Sequence, residues 1–410
     1  MKKWSVVFML CFLTIVLAAC NSGASTSGDS GDGAGKGDSV KIGSLHPLSG
    51  GLALEGQEMR DAVKLAIKEK NDAGGIQSLG NKSVELVEAD HEGSPEKGVS
   101  EVQKLDRAGV VGIVGAYSSG VALPATQEAE RSRLPFIVDI GSADEITERG
   151  FKYTFRLQPA ASSFSIDFLK YFKDLNENAT EKLSTAVIVH EDSVFGTSIA
   201  KAIKGNAKDY GLDILDVLPH ASSTADLSST INKISASKPD IVLVTTYLRD
   251  GVMLVEGIQN SNYKPRAIIG VANGAFSNAK FITDYQSINN LLMDVNYTIN
   301  PHSDLANDVK AKYKEAYGRE MGPNAAYSYM ATTVLLDAIE RAGSTDREAI
   351  RKALTETNLE DHILPQEAIQ FDEKGQNINA KAVLNQITDG ASKVVGPAEY
   401  LEVEPVYPRN

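Results

Sequence analysis

Cysteine is scarce in this 410-residue sequence: there are only two, Cys11 and Cys20, and both fall within the first twenty residues. The rest of the chain therefore has no thiol for a disulfide, a cysteine-bound metal or a cysteine nucleophile. The chain also lacks a basic block beyond its extreme N-terminus, and its formal net charge is −13. Because nucleic-acid binding needs clustered Lys and Arg to neutralise phosphates, this charge argues against a nucleic-acid partner.

Motifs for catalysis and for cofactor binding are also missing. The sequence has no GxSxG turn, no HExxH pair and no GxxxxGK loop, and the glycines of "SGGLALEG" (49–56) lack dinucleotide-binding spacing. The "HE" at 91–92 and the "HED" at 190–192 do not form a metal-site pattern, and we interpret them as polar loop residues. We therefore expect a protein without cofactor or metal that is not an enzyme. An extracytoplasmic α/β hydrolase is the alternative from a different class.

The N-terminal segment has the pattern of an export signal. Its apolar run is shorter than the roughly 20 residues that span a membrane, it follows Lys2 and Lys3, and it ends in small residues. Residues 1–19 are thus predicted to be a signal peptide. The "LAAC" at 17–20 resembles a bacterial lipobox, which implies cleavage before Cys20 and a diacylglyceryl anchor on that residue. The alternative is an ordinary signal peptide with an incidental cysteine.

Residues 20–38 are predicted to be the lipidated cysteine and a flexible linker. Beyond Cys20 they consist almost wholly of Gly, Ser, Ala and Asp, which cannot bury a core. Such a coil has an r.m.s. span of roughly 20–25 Å. We therefore expect the remainder of the chain to be held by its lipid at the extracytoplasmic face of the bacterial cell membrane.

From residue 39 onward, short apolar runs alternate with amphipathic stretches. An example is "VKIGSL" (40–45), followed by a helical stripe that contains Met59 and Val63 and ends at Gly74. Regular β-α-β-α order predicts an α/β fold with mostly parallel sheets flanked by helices. The series restarts after "RLQPAAS" (156–162), which predicts a second lobe of similar size.

The late helices contain too few strands for a third domain, so we expect them to pack back onto the two lobes. Lobe one is predicted to comprise residues 39–158 and 300–367, and lobe two residues 159–299 and 368–410. The chain would then cross between the lobes near Pro159, near 297–301 and around "FDEKGQN" (371–377). Lobes joined by several crossovers can close on a ligand by hinge motion.

A ligand is expected beyond the carboxyl ends of the parallel strands. One such end is "GAYSSGVALP" (115–124), where Pro124 predicts that the helix begins near 121–123, since proline suits only a first turn. The preceding turn, 117–120, would offer backbone N–H groups and two hydroxyls to a carboxylate. Ser119 could instead be a helix cap. Ser142 in "IGSADEIT" offers the same two choices, because it could contact a ligand or cap the helix near 144–146.

Ordered segments along the chain resemble the leucine/isoleucine/valine-binding protein family, the type I periplasmic binding proteins that serve ABC importers. The resemblance extends over residues 39–400 and implies a two-lobed Venus-flytrap fold with three interlobe crossovers. The segments that carry it include "KIGSLHPLSGGLALEGQEM", "VGIVGAYSSGVALPATQEAE", "LPFIVDIGSADEITERG", "YTFRLQP", "EDSVFGTSIA" and "FDEKGQ".

The function implied by this resemblance is solute capture. The chain would be a monomeric substrate-binding lipoprotein that takes up a branched-chain or other amino acid, or an amide or carboxylate relative. It would deliver that solute to the permease subunits of an ABC importer. A ligand sensor for a signalling partner is an alternative use of the same fold.

The resemblance also implies a set of ligand-binding residues. The two serines and a backbone carbonyl of lobe one would hold the carboxylate and part of the ammonium group, and aromatic residues of lobe two would close over the ligand. The implied set is Tyr117, Ser118, Ser119, Ile140 and Ser142, with Glu55 at the side-chain pocket and Phe195, Tyr247 and Asn273 from lobe two.

One departure from the family concerns the ammonium group. The family's branched-chain amino-acid binders have a glutamate at the position of Ala272 or Asn273, and neither of these residues is charged. A buried ammonium without a carboxylate is poorly compensated. Either Glu55 or Asp139 takes over this role, or the ligand has no α-ammonium.

Overall fold

Two β-sheets flanked by helices organise the residues that the computed structural model describes, 39–285 and 291–408. The predicted signal peptide, Cys20 and the linker lie outside these residues. Asp38–Asn410 forms one compact unit. The first sheet is wholly parallel, in the order β2-β1-β3-β4-β5. Its strands are β1 (Val40–His46), β2 (Val84–Asp90), β3 (Ile113–Gly115), β4 (Phe136–Val138) and β5 (Thr154–Arg156).

The second sheet has seven strands in the order β12-β11-β10-β9-β8-β6-β7. It is parallel from β10 to β7, whereas β11 runs antiparallel to both β10 and β12. Its strands are β6 (Thr185–Glu191), β7 (Asp213–His220), β8 (Ile241–Thr245), β9 (Ala267–Val271), β10 (Leu292–Asn296), β11 (Val383–Thr388) and β12 (Ala391–Gly396).

Helices cover both sheets, and the late helices pack on lobe one. α11 contacts α1, α12 and the strands β3 and β4, while α10 contacts α1. The helices beside the first sheet are α1 (Ala53–Asp72), α2 (Pro95–Arg107), α3 (Ser119–Arg131), α4 (Glu145–Glu148), α10 (Asp304–Tyr317), α11 (Pro323–Ala342) and α12 (Arg347–Thr355). Those beside the second are α5 (Ala161–Asn178), α6 (Val194–Asn206), α7 (Ser228–Ser237), α8 (Leu248–Asn260) and α9 (Ala279–Asp284).

The chain passes between the sheets after β5, after β10 and before β11. The first and third crossovers are hydrogen-bonded side by side, because the Asn377 amide donates to the Leu157 carbonyl (2.8 Å) and the Gln376 amide to the Gln158 carbonyl (2.9 Å). This architecture confirms the predicted two-lobed α/β fold with three crossovers. It places the carboxyl ends of the parallel strands of both sheets at one cleft.

The start of α3 differs from the prediction. The helix begins at Ser119, not near 121–123, and Pro124 lies in its second turn. Ser118 has a φ of 81°, so the chain turns sharply and enters the helix at once. Since proline has no N–H, Pro124 forgoes its helical hydrogen bond to the carbonyl four residues earlier, which is a local cost that the helix tolerates.

No helix among residues 39–285 and 291–408 is long and apolar enough to cross a membrane.

Candidate ligand-binding cleft

A small pocket lies between the lobes, and each of its lining residues follows the carboxyl end of a parallel strand. Its volume is about 20 Å³, which is room for about one water molecule. The two lobes are therefore closed against each other around it. The lining consists of Tyr117, Ser118, Ser119, Ile140 and Ser142 from lobe one, Gln158 and Tyr297 from the crossovers, and Phe195, Tyr247, Ala272 and Gly274 from lobe two.

Ser119 joins the two polar loops of lobe one. Its hydroxyl accepts hydrogen bonds from the backbone N–H groups of Ser142 (3.0 Å) and Ala143 (3.1 Å). Both bonds use the oxygen lone pairs, so the O–H remains able to donate into the pocket. The residue makes no side-chain cap, because the N-cap of α3 is Ser118 and no side-chain hydrogen bond closes it. The first N–H groups of α3 have no carbonyl partner in their own helix and are suited to an anion.

Ser142 presents an unused hydroxyl to the pocket. The residue is 2% exposed, and its Oγ has no hydrogen-bond partner within residues 39–285 and 291–408. It does not cap α4 either, because the N-cap there is Asp144. A buried hydroxyl without a partner is costly, and a ligand oxygen within the pocket would satisfy it.

A buried arginine fixes the loop that carries Ser142. Arg156 donates through Nη1 to the carbonyls of Ser142 (2.8 Å) and Ala143 (2.6 Å), and through Nε to Gln376 Oε1 (2.6 Å). Burial lowers the pKa of Arg156 to about 10, so the side chain remains cationic at neutral pH. It therefore holds the Ser142 loop against the third crossover and has no direct share in the pocket lining.

Aromatic side chains form the opposite side of the pocket. The Tyr247 ring lies 5.8 Å from that of Tyr117 and 5.3 Å from that of Phe195, measured between ring centroids. Tyr117 belongs to lobe one and the other two to lobe two, so the contact between Tyr117 and Tyr247 crosses the cleft. Gly274 makes this approach possible, because a Cβ there would lie 3.1 Å from the Tyr117 hydroxyl. The pocket thus has a polar side at the serines and an apolar side at the rings.

The β9 loop contributes no carboxylate to the pocket. Ala272 lines the pocket with a strained φ of 52°, an unusual conformation for a residue other than glycine. Asn273 does not line it. Its Oδ1 accepts from the N–H of Ala275 (2.7 Å), and its Nδ2 donates to Thr246 Oγ1 (3.1 Å). Asn273 therefore supports the loop from behind the pocket wall.

A larger cavity of about 460 Å³ forms the mouth of the cleft and shares Ser118 and Tyr247 with the pocket. Glu55 lies here and not in the pocket lining. Burial raises the pKa of Glu55 and also that of Glu191, whose Oε2 accepts from Ser193 Oγ at 2.5 Å. The carboxylates that line the mouth are Glu55, Glu92, Glu191 and Asp250, and Arg249 is the basic residue among them.

Asp139 belongs to a separate buried network. His46 Nε2 is 2.8 Å from Asp139 Oδ2 and His46 Nδ1 is 2.7 Å from Ser44 Oγ, while Ser328 donates to the same Asp139 oxygen at 2.6 Å. This order of groups is that of a hydrolase triad, but each member is at most 1% exposed. Ser44 cannot contact a substrate there, and the network instead ties β1, β4 and α11 together. Asp139 does not line the pocket.

Sequence reasoning missed Gln158, Tyr297 and Glu191. Gln158 and Tyr297 lie in the first and second crossovers, which were predicted as connections and not as parts of a site. Glu191 is the middle residue of the "HED" stretch, which was interpreted as a polar loop, and it is only 3% exposed. The available signal was position alone, since all three lie at or directly after the carboxyl end of a strand.

Residues 39–391 match the family described as periplasmic binding protein. Leu/Ile/Val-binding protein homologs 7 and 8 of Brucella abortus (strain 2308) are each 30% identical to this chain over 368 residues. These alignments cover 87% of this chain and 91% and 90% of the two relatives.

Solved structures show the same fold. The branched-chain amino acid transporter substrate-binding protein LivJ of Streptococcus pneumoniae, in complex with isoleucine, is 21% identical, with a TM-score of 0.76 over 88% of this chain and 100% of that one. The leucine-binding protein LivK of Thermotoga maritima is 22% identical, with a TM-score of 0.76 over 87% of this chain and 98% of that one.

The family match covers nearly all of the described residues, and relatives at 30% identity extend over most of the chain. This establishes the family that the resemblance implied. The chain belongs to the periplasmic binding proteins, and as such it is an extracytoplasmic substrate-binding protein and not an enzyme.

Proposed function

We propose that this protein captures a branched-chain amino acid (leucine, isoleucine or valine) in the interlobe pocket and delivers it to the permease of an ABC importer. The observation that carries this proposal is the two-sided pocket. Hydroxyls and the N-terminus of α3 face one side, where they suit a carboxylate, and aromatic rings face the other, where they suit an aliphatic side chain. The names of the relatives point to the same ligands.

Binding proceeds by docking and closure. The carboxylate docks first on lobe one, where Ser119 and Ser142 donate to it and Ile140 offers its carbonyl to the ammonium. Lobe two then swings over the ligand with Phe195 and Tyr247. Because the pocket in this conformation holds only about 20 Å³, an amino acid enters only after the lobes have moved apart at the crossovers. The lobes then close on the ligand in a wider arrangement than the one seen here. The ligand favours the closed state only by its better contacts there.

The proposal also covers the bounds of the two lobes, a lipid anchor and a monomeric state. Lobe one is taken as residues 39–158 with 300–367, and lobe two as residues 159–299 with 368–410. A lipid on Cys20 and the linker to residue 38 would keep the binding unit near its permease, as a monomer. The carboxylates at the mouth would favour an approaching ligand that bears an ammonium group.

A thermal-shift panel on the full-length chain tests the ligand class. Leucine, isoleucine and valine are compared with 4-methylpentanoate, which is leucine without its amino group, and with 3-methylbutylamine, which is leucine without its carboxylate. A ligand that binds only the folded state raises the melting temperature. We expect the largest shift from one of the three amino acids. A shift from 4-methylpentanoate but from none of the amino acids would contradict the proposal.

A further inference from the structure

Gln158 is a buried residue whose side-chain amide stands without a hydrogen bond in the part of the chain that the structure describes. It is 1% exposed and lines the small pocket, and neither its Oε1 nor its Nε2 has a partner among the described residues. Buried side-chain amides are nearly always hydrogen-bonded, and leaving both ends of one unpaired is costly. Since both ends are unpaired, exchanging the O and N positions would not change this observation.

The position of Gln158 is fixed by the crossovers. Its backbone carbonyl accepts from Gln376 Nε2 at 2.9 Å, and the preceding carbonyl, that of Leu157, accepts from Asn377 Nδ2 at 2.8 Å. The Ser142 loop is tied to the same segment, because the Ala161 N–H donates to the Ser142 carbonyl at 2.8 Å. Two unsatisfied side chains, those of Gln158 and Ser142, are therefore held on one side of the pocket.

These unsatisfied atoms define the complementary ligand. Ser142 Oγ–H and Gln158 Nε2–H need an acceptor, while Gln158 Oε1 needs a donor. The described pocket lining contains no carboxylate, and the position where the family resemblance implies one is occupied by Ala272 or Asn273, neither of which is charged. An α-amino acid carries an acceptor, its carboxylate, and a donor, its ammonium, on the same carbon. Its head group can thus satisfy both ends of one amide.

We propose that Gln158 binds the head group of the amino acid, with Oε1 accepting from the ammonium and Nε2 donating to the carboxylate. This inference rests on the proposed function and specifies its ligand class as zwitterionic α-amino acids. A neutral amide then replaces the family's glutamate, and it does so from the first crossover instead of the β9 loop. Glu55 and Glu191 act only on the path of entry.

Two substitutions at Gln158 test the assignment by calorimetry on the full-length chain. Gln158→Met removes both polar atoms and keeps the length, while Gln158→Glu restores a carboxylate. Each variant is titrated with leucine and with 4-methylpentanoate. For Gln158→Met we expect leucine to bind about 10- to 100-fold more weakly and 4-methylpentanoate to be weakened less, so that the preference for leucine shrinks. For Gln158→Glu the preference should grow.

The unfolding midpoint without ligand is the control. Because the wild-type amide is unpartnered, Gln158→Met should unfold at the wild-type midpoint or above it. If Gln158→Met fails to fold, Gln158→Glu decides alone. Its affinity for leucine, divided by its affinity for 4-methylpentanoate, should exceed the wild-type ratio, and a ratio at or below the wild-type value overturns the inference.

Other outcomes separate the two proposals. Wild-type affinity for leucine in folded Gln158→Met overturns the role of Gln158 and leaves the proposed function intact. Equal weakening of both ligands overturns the contact with the ammonium. A preference that collapses in Glu191→Gln but persists in Gln158→Met assigns the ammonium to the mouth and also overturns the inference. A wild-type protein that binds none of leucine, isoleucine and valine refutes the proposed function itself.

Discussion

Ser142→Ala should separate ligand binding from folding stability. The backbone of Ser142 is fully engaged, because its N–H donates to Ser119 Oγ and its carbonyl accepts from Arg156 and from the Ala161 N–H. Only its hydroxyl lacks a partner among the residues that the structure describes. The substitution therefore removes only an oxygen that faces the pocket and leaves the loop in place.

The expected magnitudes follow from these contacts. A hydrogen bond to a charged group contributes about 1.5–3 kcal/mol, so losing the bond to the ligand carboxylate should weaken leucine binding by about 10- to 150-fold. The free energy of unfolding should stay the same or rise by up to about 1 kcal/mol, since a buried unpaired hydroxyl is removed.

Ser119→Ala is the matched comparison. Its hydroxyl accepts from two backbone N–H groups, which would be left buried and unpaired. The free energy of unfolding should therefore fall by about 1–3 kcal/mol, and leucine binding should weaken as well. Ser142→Ala is thus expected to lose only affinity for leucine, whereas Ser119→Ala is expected to lose both affinity and folding stability.

The assay combines urea unfolding without ligand and calorimetric titration with leucine for both variants. The two serines are neighbours across one loop, so a general disturbance of the site would affect both variants alike. If Ser142→Ala is destabilised as much as Ser119→Ala and still binds leucine with wild-type affinity, the assignment of the Ser142 hydroxyl to the ligand is refuted.

Three further changes have defined outcomes. Burial raises the pKa of Asp294 to about 7 from its ordinary 3.8. Between about pH 4 and pH 7 the folded state therefore keeps a proton that the unfolded chain releases. The free energy of unfolding should fall as the pH rises through this range. Asp294→Asn should flatten that part of the stability profile in urea unfolding, by up to about 1.4 kcal/mol per pH unit; an unchanged slope would contradict the buried proton. Gly274→Ala would place a Cβ 3.1 Å from the Tyr117 hydroxyl and 3.3 Å from the Thr246 carbonyl oxygen. The free energy of leucine binding, measured by calorimetry, should weaken by about 1–3 kcal/mol. Wild-type affinity would show that the close approach of Tyr117 to Gly274 does not limit closure of the lobes. Cys20→Ser should move the protein from the membrane to the soluble fraction of cells, and continued membrane association would refute the lipid anchor.

Much of the fold could be predicted because its cause is local. Alternating apolar runs and amphipathic stretches define strands and helices, and the right order of those elements leaves few arrangements besides two parallel α/β lobes. The predicted helical stripe of α1 is buried, Met59 and Val63 included. The predicted start of α3 was wrong because the positive φ of Ser118 allows the helix to begin at Ser119, and no residue type in the sequence signals that conformation.

The site was harder to predict because its properties depend on partners far away in sequence. The sequence suggested either cap or ligand contact for Ser119 and Ser142, and only the packed structure shows that neither side chain caps a helix. The unpaired amide of Gln158 is invisible in "RLQP", since glutamine in a connection usually faces solvent or bonds to backbone. Asn273 lies at the expected loop, but the backbone N–H groups beyond it occupy its side chain.

A calorimetric titration of leucine into the full-length wild-type chain tests the central claim most directly. The two-sided pocket predicts saturable binding at one site per chain, with much weaker binding of 4-methylpentanoate and 3-methylbutylamine, because each lacks one half of the head group. Closure over an apolar side chain also predicts a negative heat-capacity change. Absence of leucine binding, or equal affinity for all three compounds, would contradict capture of a branched-chain amino acid between the lobes.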